Sequence, residues 1–262
     1  MRRASDPRLG FIGYLKLTVM GFALSALWSS LHAIVLPMRL LDLVAETRKN
    51  SYLGLLTFSG LVVAMVTQPL VGALSDRTRF TFGRRRPYLL TGTVLALLIL
   101  PFLGLAGSYF ALFLSYLFLQ FATNTAQAPY QAFIPELVPS AERGRASGVK
   151  SMLEILGGVV LLYPVARLMD DYATTHESSG LFFSLGMMGA LILIAGVVTV
   201  TLIEETLPAE KIHGIPGLRS YLKTRLWRDT GLRYYLLSRL LFFSPSPPSR
   251  LSPCIFSVMW SG

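Results

Sequence analysis

Gly72-Ala73-Leu74-Ser75-Asp76-Arg77-Thr78-Arg79-Phe80-Thr81-Phe82-Gly83-Arg84-Arg85-Arg86-Pro87 decides how the chain is read. It stands between two long runs free of Asp, Glu, Lys and Arg, Asn50 to Ser75 (26 residues) and Pro87 to Pro135 (49 residues). Gly72 would let a neighbouring helix approach closely. Asp76 sits where the apolar run ends, with Arg77 and the triple arginine as available partners. Gly83 permits a turn, and Pro87 suits the first turn of a helix. A basic loop of arbitrary order would account for the arginines. It would not account for the Gly-x3-Asp-Arg start or the Gly-Arg-Arg-Arg-Pro finish.

Outward from this loop, the missing charges mark membrane spans. Leu17 to Met38 (22 residues) and Ser178 to Ile203 (26 residues) are also free of charge. A bilayer-spanning helix needs about 20 mainly apolar residues. The 49-residue run suits two such helices, hinged at Gly104-Leu105-Ala106-Gly107-Ser108, where small residues favour a turn. A further run from Val149 to Met169 is apolar except for Lys150, Glu154 and Arg167. Six spans are therefore expected, at 12–38, 51–75, 88–106, 108–132, 149–169 and 180–203. A secretory signal peptide is the alternative for the first, since Met1-Arg2-Arg3 is a basic start. Its apolar part exceeds the usual length of about 7–15 residues, and no small-x-small cleavage site follows.

Composition agrees. The 262 residues are 53% hydrophobic and only 15% charged, with mean hydropathy +0.55 and a formal net charge of +10. So much apolar residue excludes a disordered chain and argues against a soluble nucleic-acid module. One cysteine excludes a disulfide scaffold, a CxxC zinc site and a two-cysteine redox centre. Short cytoplasmic loops retain Lys and Arg. Nineteen of these fall at the N-terminus, in the loops after spans 2 and 4, and after span 6, against four in the alternate positions (Arg39, Arg48, Lys49, Arg167). The expected N-terminus is thus cytoplasmic, and the positive charge follows from topology rather than from a polyanionic partner.

The quoted loop resembles that between spans 2 and 3 of major facilitator superfamily transporters. With its Gly-Arg-Arg-Arg-Pro ending it looks like that of the glycoside–pentoside–hexuronide:cation symporters and their sucrose-transporter relatives. Asn124-Thr125-Ala126-Gln127-Ala128-Pro129-Tyr130-Gln131-Ala132-Phe133-Ile134-Pro135-Glu136-Leu137-Val138-Pro139, then Arg143-Gly144-Arg145-Ala146-Ser147-Gly148, agrees with that branch. The resemblance covers about residues 10 to 243. It implies an all-α membrane protein of the plasma membrane: a six-transmembrane-helix bundle of two three-helix repeats, the N-terminal half of a twelve-helix rocker-switch transporter. The solute site of such a transporter lies between its halves near the bilayer midplane. The resemblance further implies a cytoplasmic conformational latch at Asp76, Arg77 and Arg84, with Gly72, Gly83, Arg85 and Arg86 completing the motif.

Polar residues within the spans are the candidates for the solute path. Gln120, Asn124, Gln127 and Gln131 recur at i, i+4, i+7 and i+11 on one helix face, which is costly to turn towards lipid. Two readings stand open: hydrogen bonds between helices, or a cavity wall offering donors and acceptors to a polyhydroxylated solute. Trp28 and His32, also i, i+4, pair an aromatic face with a titratable imidazole; an interfacial place is the alternative. Gln68-Pro69 marks a kink with a polar handle. Glu154 is the one carboxylate placed inside a span, hence the candidate for the coupling ion; an i, i+4 pair with Lys150 is the alternative. Some cation-coupled sugar symporters carry paired carboxylates in span 2, and Ser51 to Ser75 has none. The expected coupling ion is a proton, with sodium left open, and no other cofactor or metal is expected.

Residues 207–233 read as a cytoplasmic amphipathic linker. Residues 234–262 read as an aborted seventh span followed by a tail with Pro245, Pro247, Pro248 and Pro253. The expected chain is therefore a truncated transporter for a small polar, sugar-like solute, needing a missing C-terminal half or a second bundle. The alternative is a membrane-embedded remnant or interaction subunit without transport of its own. No HExxH or GxSxG motif points to an enzyme.

Overall fold

A computed structural model describes residues 10–78, 83–175 and 178–203. The expected linker 207–233 and tail 234–262 lie outside the described residues, as does the side chain of Arg77. Among the described residues the fold is helical, without strands.

Span 1 is one continuous rod built from α1 (Phe11–Ser30), a π-helical turn (Leu31–Val35) and α2 (Leu36–Leu43). The widened turn has a local cause. Pro37 has no N–H, and its ring would press on the carbonyl four residues back in a regular helix. Widening to a Leu36 N–H to Leu31 carbonyl bond relieves that pressure. After a 3-10 turn (Glu46–Arg48) comes α3 (Lys49–Arg77) with Pro69 inside it. Next come α4 (Arg86–Leu105), α5 (Tyr109–Gln131) and the short α6 (Phe133–Leu137). The chain then forms α7 (Arg143–Val160) and α8 (Leu162–Thr175), which together make one long rod, and α9 (Ser178–Leu202).

Several rods outrun the charge-free runs. A helix can continue past the bilayer core into water, so the first charge marks the membrane boundary and not the helix end. Among the described residues, five helical rods are long and apolar enough to cross a membrane. The sixth, α5, has the length, but Gln120, Asn124 and Gln127 dilute its apolar character.

In the bundle, α1 packs on α7 and α9, α4 on α5 and α9, and α3 on α5. Small residues set the closest approach: a Cβ on Gly157 would lie 2.2 Å from the Phe22 carbonyl oxygen. Backbone contact of this kind is what drives helix association where apolar burial gives no preference over lipid. The core runs along the rod of span 1, where Met20, Leu27, Leu31, Val35 and Leu36 are fully buried. Coverage is uneven. The rods Glu46–Asp76 and Arg143–Thr175 have 22% of their most apolar windows buried, against 56% for Phe11–Leu43. Spans 2 and 5 thus present most of their surface outward.

Candidate functional site

At one end of the bundle, four segments meet. Gly83 has φ 119°, a conformation that L side chains rarely adopt, and it turns the chain so that the arginines point back at α3. Arg85 is buried; its Nη2 donates to Asp76 Oδ1 at 2.9 Å, and its Nε donates to Glu136 Oε2 at 2.8 Å. Arg84 also donates to Glu136 and lies 3.8 Å from Asp76. Arg86 donates to the carbonyl of Ile203, just past α9. Tyr14 near the start of α1 donates to Glu142 before α7 at 2.6 Å. The described residues of the positively charged segments therefore gather at one end, as alternating spans require.

This cluster joins Asp76, Arg84, Arg85 and Arg86 of the expected latch. It adds Glu136, which sequence reasoning did not pick out. The signal was present: Glu136 is the first charge after the 49-residue run. Gly72 needs correction as a site of close helix approach. A Cβ there would meet nothing within 4 Å among the described residues, so no helix of this bundle presses on it.

Deeper in the bundle, the polar stripe of α5 forms a hydrogen-bonded chain across three spans. Gln68 Nε2 on α3 donates to Asn124 Oδ1 at 2.7 Å. Asn124 Nδ2 donates to the Gln120 carbonyl at 2.7 Å and to Gln120 Oε1 at 3.0 Å. Gln120 Nε2 donates to Tyr116 Oη at 2.9 Å, and Tyr116 Oη lies 2.9 Å from His32 Nε2 in the π-turn. The His32 ring stacks on Trp28 with centroids 5.1 Å apart. Gln120, Asn124 and Tyr116 are buried, while Gln68, Trp28 and His32 are half-buried. The chain therefore has a shielded middle and two accessible ends.

Five of the seven candidate residues thus join one network: Trp28, His32, Gln68, Gln120 and Asn124. Gln127 is half-buried and Gln131 exposed, and neither belongs to the chain. Tyr116 was missed, because a search for carboxamides passes over a phenol one turn before Gln120.

Glu154 faces α1. Its Oε1 lies 3.6 Å from Lys150 Nζ, and Lys150 sits 5.6 Å from the centre of the Tyr130 ring. Ser25 Oγ donates to the Glu154 carbonyl at 2.6 Å. A Cβ on Gly21 would lie 2.9 Å from Glu154 Oε1 and 2.3 Å from Tyr130 Oη. This packing is the i, i+4 arrangement foreseen as the alternative for Glu154.

At the opposite end, Arg39 is buried. It donates to the carbonyls of Leu103 (3.4 Å), Gly104 (3.3 Å) and Ala106 (2.6 Å), and to Asp42 (2.8 Å) and Tyr172 (3.0 Å). The last carbonyls of α4, which have no partner within the helix, are thereby satisfied by a side chain of span 1.

An apolar pocket of about 200 Å³ lies between α4 and α9, lined by residues including Leu97, Pro101, Phe182 and Gly189. It offers no polar side chain to orient a polar solute. Among the described residues no His, Cys, Asp and Glu group could hold a metal ion.

Comparison with known proteins matches residues 15–216 to the family of MFS/sugar transport proteins. The chain is 28% identical over 123 residues to the sucrose transport protein SUT1 of Oryza sativa subsp. japonica, covering 38% of this chain and 23% of that one. It is 28% identical over 139 residues to the uncharacterized symporter YnaJ of Bacillus subtilis, covering 50% and 30%. It is 29% identical over 127 residues to solute carrier family 45 member 4 of Mus musculus, covering 42% and 16%. The matched part spans less than a third of each relative. The chain, a multi-pass membrane protein built of apolar helical rods around a buried polar network, belongs to the MFS/sugar transport protein family.

Proposed function

We propose that this bundle is one wall of a transporter that carries a small sugar-like solute across the plasma membrane together with a proton, by alternating access. The single observation that carries the reading is the chain His32–Tyr116–Gln120–Asn124–Gln68. It holds carboxamides and an aromatic face near the middle of three spans, where each unpaired polar group is costly. Carboxamides donate and accept at once, which matches vicinal hydroxyls, and the stacked Trp28 offers a flat apolar face to a sugar ring. The names of the relatives, sucrose transport protein and symporter, support the solute class and the coupling.

The latch end, with its basic residues, faces the cytoplasm in this reading. Asp76, Arg84, Arg85 and Glu136 hold the ends of α3, α4 and α6 together while the bundle moves as a body. The sparsely covered faces of spans 2 and 5 favour a second bundle as partner, against which the first would rock.

The test is uptake of radiolabelled sucrose into proteoliposomes under an imposed pH gradient, with this chain alone and together with a supplied second bundle. Uptake that needs both bundles and collapses with the gradient is the expected result. Uptake of no sugar by either preparation would overturn the solute class. Undiminished uptake without a gradient would overturn proton coupling. A bundle that assembles in the membrane but supports no uptake with any partner would favour the interaction-subunit reading.

A further inference from the structure

The hydrogen-bond chain has a direction, and in the arrangement observed the Gln120 carbonyl sets it. The Gln120 carbonyl only accepts, so Asn124 must turn Nδ2 towards it (2.7 Å). Asn124 Oδ1 is then the atom that meets Gln68 Nε2. The same Nδ2 meets Gln120 Oε1, which leaves Gln120 Nε2 to donate to Tyr116 Oη. Tyr116, fully buried, has one hydroxyl hydrogen left, and His32 Nε2 at 2.9 Å is the acceptor for it. With the hydrogen on Nε2 instead, Tyr116 would accept twice and bury an unpaired donor. The side-chain donors of the chain thus point towards His32, the arrangement that suits a neutral imidazole with its hydrogen on Nδ1.

We propose that His32 is the proton-binding site, and that protonating it reverses this chain so that Gln68 turns a donor instead of an acceptor towards the solute. The inference rests on the solute-transport reading for its use, though not for its geometry. A proton arriving on His32 Nε2 makes that atom a donor to Tyr116 Oη. The Tyr116 hydrogen must then swing to Gln120, whose Oε1 turns to accept it. Gln120 Nε2 next donates to Asn124 Oδ1, and Asn124 Nδ2 to Gln68 Oε1, which frees Gln68 Nε2. Each link changes direction; the bond from Asn124 Nδ2 to the Gln120 carbonyl is lost, and Asn124 Oδ1 has to draw back from that carbonyl oxygen. That bond holds the neutral direction as the resting one. A solute oxygen accepting from Gln68 Nε2 offsets its loss, so proton and solute bind in mutual support.

The surroundings leave His32 as the group that can take this part. Tyr116 on α5 is the titratable residue in contact with it. Of the elements packed on the π-turn, α2 carries Arg39 and Asp42, which are bonded to each other and to Tyr172. On α8, Arg167 and Tyr163 are exposed and bonded to each other, and Asp170 and Asp171 are exposed. Glu154 on α7 lies beside Lys150. Histidine changes charge between about pH 5 and 8, and π-turns recur at functional sites because they re-aim single side chains.

The test uses the full chain in lipid nanodiscs, with side-chain ¹⁵N NMR of His32 and Gln68 assigned from His32→Asn and Gln68→Leu samples. At high pH His32 should show an unprotonated Nε2. As pH falls, the Gln68 amide should move with the same midpoint as His32. In Tyr116→Phe, His32 should still titrate while Gln68 stays still, and Gln120→Leu should silence Gln68 likewise. A neutral His32 protonated on Nε2, or a Gln68 that moves equally in both variants or not at all in the parent, would overturn the proposal. Sucrose binding on the same samples separates the two readings. In the parent its affinity should rise about tenfold below the His32 midpoint, the size of one buried hydrogen bond, and Tyr116→Phe should abolish the rise. Coupled NMR shifts without sucrose binding at any pH would sink the sugar reading and leave the relay. Sucrose affinity independent of pH, with a silent Gln68, would sink the relay and leave the sugar.

Discussion

Arg85 grips Glu136 through two nitrogens, Nε to Oε2 at 2.8 Å and Nη2 to Oε1 at 2.5 Å. The same Nη2 reaches Asp76 Oδ1 at 2.9 Å. One guanidinium thus ties the end of α3 and the start of α4 to α6, in the forked geometry that only arginine offers. The Arg85 side chain is 5% exposed and both carboxylates 39%, so the cluster lies between the surface and buried limits. Arg85→Ala should lower stability by about 1–3 kcal/mol, read as a fall in the thermal unfolding midpoint in detergent. Arg85→Lys, with a point charge in place of the fork, should recover only part of it. Equal midpoints for all three proteins would show that the cluster holds nothing together.

Arg39 is the tie at the other end of the bundle, and it holds five partners where Arg85 holds two carboxylates. Arg39→Met would strand the last carbonyls of α4 and leave Asp42 without its cation. The expected cost is about 3–5 kcal/mol, the range for breaking a buried ion pair from one side. Tyr172→Phe removes a single hydroxyl from the same cluster and should cost about 1 kcal/mol. Denaturant unfolding in mixed micelles ranks the two. Tyr172→Phe proving as harmful as Arg39→Met would mean that the phenol, and not the guanidinium, carries the junction.

What could be read from sequence, and what could not, follows from the range of each interaction. The spans were legible because lipid excludes charge, so runs such as Pro87 to Pro135 announce themselves one residue at a time. The latch loop was legible because Gly83 and the arginines are neighbours in sequence. Glu136 was not, since its partner Arg85 is 51 positions away and nothing local links them. Arg39 read as a charge at the end of a span, while its role as a cap for α4 depends on how span 1 leans. Pro37 lies inside span 1, where its effect, a π-turn carrying His32, did not stand out from the apolar run around it. The α5 stripe was visible by periodicity, yet which members bond depends on where α1 and α3 cross it. That crossing selects Gln120 and Asn124, and leaves Gln127 and Gln131 outside.

Gly157 fixes how closely α1 and α7 pack. A Cβ there would lie 2.2 Å from the Phe22 carbonyl oxygen, and backbone cannot step aside as a flexible side chain can. Gly157→Val should destabilise by about 1–3 kcal/mol or more through overpacking. Gly148, on the same helix, has open space around its Cβ position. Gly148→Val should therefore be close to neutral, since it meets no neighbour and valine is the better helix former. Resistance to SDS unfolding distinguishes them. Similar losses at both positions would point to helix propensity and away from the contact with Phe22.

Asn124 and Gln131 sit on the same face of α5 but should respond differently. Asn124 bonds to Gln68, to Gln120 Oε1 and to the Gln120 carbonyl. Asn124→Leu would leave the amide of Gln68 and the buried Oε1 of Gln120 unpaired, at about 1–3 kcal/mol for each buried group stranded. Gln131 is exposed, and Gln131→Leu should stay within about 0.5 kcal/mol of the parent. If the ladder also forms the solute wall, sucrose binding should fall at least tenfold in Asn124→Leu even after the protein is shown to be folded by circular dichroism. Binding should be unchanged in Gln131→Leu. A folded Asn124→Leu protein that binds sucrose as well as the parent would reduce the ladder to packing between helices, because its middle link would then be dispensable to the solute.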